Sequence, residues 1–269
     1  MTLPMKLHDW VDVNKLNWGL LSRNPNAIDL LKENTDKINW NYLSQNPEAI
    51  DLLEANPDKI DWCWFCTNTN AINILKENLD KIDWTYLSQN PNAIDLLEEN
   101  PAKINWVYLS SYPNAIELLK ANQDKINWMW LSTNTNAIEI LENNPDKINW
   151  SGMSSNTKAM KLLKANIDKI DWVCLSSNSN AIKLLKENKD KIDWFWLSTN
   201  PNAIDILKEN PDEIIWNLLS VNPSIFTYDY SKMTERPFVE ELMARLYHPD
   251  KLVYYLDKYN YDIGEDEYL

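Results

Sequence analysis

Glycine is nearly missing from this chain, with three residues in 269, against an average usage of about 7%. Tight turns that need a positive φ are therefore expected to fall to asparagine, the non-glycine residue most tolerant of the left-handed region. Cysteine is as scarce. Cys63, Cys66 and Cys174 are too few for a disulfide framework and fit a reducing compartment. The two histidines, His8 and His248, stand in opposite end regions, so Cys63-Trp64-Phe65-Cys66 lacks the further ligands a structural zinc site requires. It also lacks the βαβ setting of a redox motif, which leaves ordinary packing. No apolar run approaches the roughly 18 residues of a membrane span. Met1 to Trp10 has no basic region leading into an apolar run, so no secretory signal is read there. Positive charge is in deficit: 26 Lys and Arg against 40 Asp and Glu leave a net charge of -14. That balance disfavours phosphate backbones and anionic membranes, and partners are expected to be neutral or basic. No glycine-rich phosphate loop occurs, and no Ser or Cys nucleophile has a histidine nearby.

What the chain does have is a ruler. Trp18, Trp40, Trp62, Trp84, Trp106, Trp128, Trp150, Trp172, Trp194 and Trp216 follow one another at intervals of 22 residues without a gap. A fixed period of this size marks a stacked repeat architecture. In the copy Asp83 to Ile104, Asp83 is a helix N-cap, Trp84 and Leu87 face inward from a first short helix, and Asn90-Pro91 caps a second. Ala93, Ile94, Leu96 and Leu97 form that second helix's apolar stripe, while Asp95, Glu98 and Glu99 face away. Asn100, matched by an asparagine in every full copy from Asn34 to Asn210, is expected to be the left-handed residue that ends it. Helices this short are marginal alone, so stacking of neighbours must stabilise them, with the tryptophan as the buried rung. A strand-lined repeat of the leucine-rich kind is the competing reading, but its L-x-x-L-x-L spacing is absent.

The predicted fold is thus all-α: an elongated α-solenoid of about ten helix-turn-helix repeats spanning 14–222. Residues 1–13 are expected to form an N-terminal cap and 223–269 a helical C-terminal cap, with amphipathic helix from Pro237 to Leu246. Acidic side chains such as Asp29, Asp51, Asp95 and Asp205 recur at one outward place, which makes a solvated stripe rather than a converging catalytic pair. No catalytic, metal-binding or cofactor-binding residues are assigned, and no cofactor is expected.

Positions that vary within the fixed frame are the candidates for recognition. Two residues after the ruler stand Tyr42, Trp64, Tyr86, Tyr108, Trp130 and Trp196, interrupted by Leu20, Gly152, Cys174 and Leu218. They read either as packing between successive helices or as an aromatic ladder on a concave binding face, where such rings make hot spots. Pairs such as Asn41 with Gln45, Thr85 with Gln89, and Phe195 with Thr199 are variable and mostly polar, a tunable face. Between Lys158 and Lys191 lysines outnumber acids, and Lys161 and Lys183 replace the usual Asp or Glu. With Lys158 they form a candidate basic patch for an acidic partner.

The pattern K-I-[DN]-W-x-x-L-S-x-N-P-N-A-I-x-L-L-x-x-N resembles the 22-residue tandem-repeat proteins of giant amoeba-infecting DNA viruses of the Marseillevirus and Mimivirus type. The segment Glu241-Leu242-Met243 through Tyr247-His248-Pro249 is similar to their common ending. Gly152-Met153 and Tyr112 depart from the pattern. The resemblance implies a viral origin, residence in the host cytoplasm or the virion, and no assigned catalytic residues. The function expected is a non-catalytic scaffold for a host or viral protein. A self-assembling virion component and single-stranded RNA recognition, one base per repeat, are the alternatives, the second disfavoured by the acidic charge.

Overall fold

The computed structural model describes residues 3–235, 239, 240 and 243. Of the helix expected from Pro237 to Leu246 only Val239, Glu240 and Met243 are described, each of them helical, and the following helix and the acidic tail lie outside the described residues. The chain divides into two compact bodies, one of Leu7–Phe226 and one of Met1–Lys6 with Thr227–Leu269. In the latter, the Asp229 carboxylate caps the short helix Tyr230–Met233 by accepting from the Ser231 and Lys232 amides. Among the described residues, the only strands are Met5–Leu7 and Phe226–Tyr228, paired with each other.

The Leu7–Phe226 body is an all-α repeat fold, with no strand inside the repeats. Each repeat, numbered one to ten from Trp18 to Trp216, opens with a helix of four to six residues such as Trp18–Leu21 or Trp150–Ser155. The preceding Asn or Asp caps it, as where the Asn39 side chain accepts from the Tyr42 amide at 3.1 Å. Ile215 has no such group and gives the tenth tryptophan helix no side-chain cap. Next comes the Asn-Pro turn and a second helix, Ile28–Lys32 in the first repeat. A third element, missed by the helix-turn-helix reading, is a 3-10 turn over residues such as Thr35–Lys37.

That extra turn explains a correction. The asparagine ending the second helix is not left-handed: Asn34 has φ -136° and ψ 54°, and its counterparts are alike, Asn210 having φ -133°. The chain passes straight into a 3-10 turn at negative φ. The asparagine instead folds its side chain back to donate to the carbonyl four residues earlier, Asn34 to Leu30 at 2.9 Å and Asn100 to Leu96 at 2.9 Å. One carbonyl orphaned at the helix end is thereby satisfied, and the fold needs little glycine.

The core is aliphatic. The residue three after the ruler, such as Leu21, Phe65, Leu131 or Met153, is fully buried, as are Ala27 and Leu31 and their counterparts. The ruler tryptophans themselves are only half-buried, which corrects their assignment as buried rungs. Most are roofed by the lysine that ends the 3-10 turn of the same repeat. Nine of the ten have an ammonium 4.2–5.4 Å from the ring centroid, from Lys37 over Trp18 to Lys191 over Trp172, plus Lys15 over Trp216. Trp194 is the exception, because Glu213 occupies its lysine's place.

Polar groups do the joining. Asn46, buried at the start of the Asn-Pro turn, accepts from the Glu48 amide and donates through Nδ2 to the carbonyls of Ser22 and Asn24 in the previous repeat. Nine asparagines repeat this double donation, at 2.7–3.2 Å. Buried serines add a second link: Ser22 Oγ donates to the Trp18 carbonyl and accepts from the Asn39 amide of the next repeat.

An elongated rod is not what forms. Asn24 of repeat one donates to the carbonyls of Ser220 and Asn222 in repeat ten, both at 3.0 Å. The Asn17 amide donates to Ser220 Oγ at 2.8 Å, and Asn26 Nδ2 to the Pro223 carbonyl. These are the links that join every ordinary pair of neighbours, and Lys15 roofs Trp216 in the same register. The array is a closed ring of ten. Residues 13–15, expected to straddle the edge of an N-terminal cap, form the 3-10 turn of a partial repeat that completes the seam. Several neighbouring tryptophan helices come close together, as Trp40–Ser44 does to Trp62–Phe65 and Trp150–Ser155 to Trp172–Ser176, and no two of the second helices do so to the same degree. The tryptophan helices therefore line the inner side.

Two substitutions probe these links in urea unfolding. Asn134→Ala strips the buried Ser110 carbonyl and the part-buried Tyr112 carbonyl of their donor and uncaps a turn, and should cost roughly 2–4 kcal/mol. Asn136→Ala, on the exposed rim, should cost under about 1 kcal/mol. Glu213→Lys should supply the missing roof over Trp194 and add about 0.5–1 kcal/mol.

Candidate binding surface and inner pocket

The six aromatic residues two after the ruler do not share one environment. Trp64 meets Tyr86 edge-on with centroids 5.3 Å apart, and Tyr108 meets Trp130 at 6.2 Å, so these rings pack between successive helices. Tyr42, Trp64, Tyr86 and Tyr108 are half-buried, whereas Trp130 and Trp196 are exposed. Exposed as well are the apolar residues one step after the ruler, Val107, Met129, Val173 and Phe195. Phe195 lies 5.5 Å from Trp196 in a T-shaped pair. The ladder breaks at Gly152 for a steric reason: a Cβ there would meet the Met129 carbonyl oxygen at 3.0 Å and the Ser132 Cβ at 3.2 Å.

The lysines lie elsewhere. Lys158, Lys161 and Lys183 are all exposed, and Lys158 Nζ donates to Asn136 Oδ1 of the previous repeat at 2.7 Å. Lys161 and Lys183 sit on the second helices of successive repeats, Met160–Ala165 and Ile182–Glu187, a different element from the aromatic rim.

Two pockets stand out among the described residues. One, of about 420 Å³, opens beside unroofed Trp194 and is lined also by Lys186, Lys189, Ile192 and Glu209. The other, of about 260 Å³, is lined by Arg23 of repeat one, Gln45 and Pro47 of repeat two, Trp64 and Thr67 of repeat three, Gln89 of repeat four and Tyr112 at the start of repeat five's Asn-Pro turn. Residues of five consecutive repeats share a cavity only on the inner side of a ring. Here the ladder residue Trp64 and the tunable residues Gln45 and Gln89 meet. Gln45 Nε2 is buried without a hydrogen-bond partner. Burial pushes the Tyr112 phenol up, and the Arg23 guanidinium pulls it part of the way back down. Arg23 was not singled out from the sequence, although it is the only arginine in the ten repeats. What could have marked it is its register, since the other nine repeats carry Gln, Thr, Ser or Val there.

Among the described residues no group of three or more His, Cys, Asp or Glu is placed to hold a metal, and no helix is long and apolar enough to cross a membrane. The cysteines are free, with Cys63 exposed and Cys66 buried. Cys66 takes the place of the linking serine, and burial drives its thiol up to about 11. Comparison with protein-family models, curated proteins and solved structures gave no match.

Because the thiolate is the nucleophile, only roughly one thousandth of Cys66 is reactive at pH 8. Thiol titration of the folded protein with DTNB at pH 8 should modify exposed Cys63 first and leave Cys66 until the chain unfolds. The Cys66 rate should climb as pH rises from 9 toward 11.

Proposed function

We propose that the chain is a non-catalytic binding scaffold, an α-solenoid closed on itself, whose apolar rim docks on a protein partner. The observation that carries this reading is the exposure of Trp130 and Trp196 with Met129, Phe195, Val107 and Val173 on one kind of element. Large rings left half in water on a rigid frame are the residues that dominate interface energetics. The reading as a giant-virus repeat protein, acting in host cytoplasm or in the virion on a host or viral partner, rests on the sequence pattern alone. So does the absence of an enzymatic role, to which the sequence's lack of converging unlike groups lends support. Lys158, Lys161 and Lys183 would add a peripheral basic contact that steers rather than anchors.

The double variant Trp130→Ala/Trp196→Ala tests the rim. With its melting curve preserved, it should lose at least one protein that the wild type retains from an amoeba lysate, with affinity weakened at least about 30-fold if each ring is worth roughly 1–2 kcal/mol. Equal capture by both forms contradicts rim docking. Wild-type light scattering that rises with concentration, and does not in the variant, would instead assign the rim to self-association.

A further inference from the structure

Two departures from the repeat, far apart in sequence, meet in the inner pocket. Arg23 is the sole charged residue at its register, and every other repeat places an uncharged side chain there. Tyr112 is the sole residue to replace the doubly donating asparagine of the Asn46 register, and it caps its own turn with no side-chain hydrogen bond. Four repeats separate the two, yet they line one cavity with the unpartnered amide of Gln45. Drift on an exposed face would not be expected to bring two unique residues together across a ring. Replacing an asparagine that elsewhere donates twice to buried carbonyls also sacrifices a link between repeats four and five.

The geometry points to a binding site for a small organic carboxylate in this pocket. Arg23 supplies a fork of donors matched to a carboxylate. Gln45 Nε2 supplies a donor already desolvated and without an acceptor, so its bond to an incoming oxygen replaces nothing within the protein. The Tyr112 hydroxyl and the Gln89 amide are further donors on the wall. Trp64 and Pro47 give the ligand an apolar side, which suits a carboxylate bearing a flat or hydrocarbon group. The cavity of about 260 Å³ limits the ligand to a small molecule. None of the ten inner positions in Arg23's register is acidic, so the strongly negative charge of the chain is not carried on this strip of the wall.

Calorimetric titration of the full chain with benzoate tests the site. Saturable binding is expected. Arg23→Gln, which installs the residue of repeat two, should weaken it at least tenfold, and Ser177→Ala, in the same register on the far side of the ring, should leave it unchanged. Tyr112→Asn separates a ligand role from a structural one: it should weaken benzoate binding at least threefold while raising the urea midpoint, because the doubly donating asparagine is restored. Absence of saturable binding overturns the proposal, as does affinity that survives Arg23→Gln, or a Tyr112→Asn protein that binds benzoate as tightly as the wild type.

Discussion

A buried carboxamide with its hydrogen-bonding capacity engaged on both sides of a junction is the constraint from which the rest of this structure follows. The oxygen of Asn46 or Asn156 caps its own turn, and the nitrogen donates twice into the preceding repeat. Any shift in register would strand a desolvated amide and two carbonyls, which is costly in a low-dielectric interior. An aliphatic core of leucine and alanine provides the bulk of the stabilisation but is non-directional. The asparagine gives the stack its direction, and the serine hydroxyl two residues before it fixes the junction on the other side of the repeat, as where Ser44 Oγ accepts from the Asp61 amide of the following repeat.

Because the asparagine junction recurs at nine of the ten steps, a small inward tilt at each accumulates, and closure removes the exposed ends that an open stack must protect with polar capping repeats. The seam uses no special chemistry. Ser220 and Asn222 meet Asn17 and Asn24 through the bonds found at neighbouring junctions, and the partial repeat before Trp18 contributes Lys15 in place of the absent lysine at 235, where the chain has Glu235. The inner wall formed in this way places side chains from distant repeats side by side. In an open array, Arg23 and Tyr112 would be separated by the full length of four repeats.

Much of this was legible in the residues. The period, the Asp or Asn caps before each tryptophan, the Asn-Pro helix starts and the Ala-Leu core stripe all express local rules, and local rules are visible in a sequence. The misreadings share a cause, since each depended on partners that a sequence does not display. Asn34 was expected to be left-handed because an asparagine ending a helix usually is, yet a carbonyl one turn back was available to its side chain. The ruler tryptophans were expected to be buried because their spacing is strict, yet the spacing also serves a lysine roof from the 3-10 turn that closes the repeat. Closure has no residue code, since it depends on a slight difference in spacing between the inner and outer helices. The candidate pocket could be seen only once closure had brought Arg23, Gln45 and Tyr112 together. Four of the six ladder rings, Trp64, Tyr86, Tyr108 and Trp130, meet a ring of the neighbouring helix, and of the six only Trp130 and Trp196 are exposed.

Spin labels placed at exposed Asn41 and Asn217 and measured by pulsed electron resonance test the closed ring most directly. These positions lie eight repeats apart along the chain but two repeats apart across the seam. A closed ring predicts a distance equal to that between labels at Asn41 and Thr85, which are two repeats apart within the array. A much longer Asn41 to Asn217 distance would mean that the stack is open, and would contradict the account.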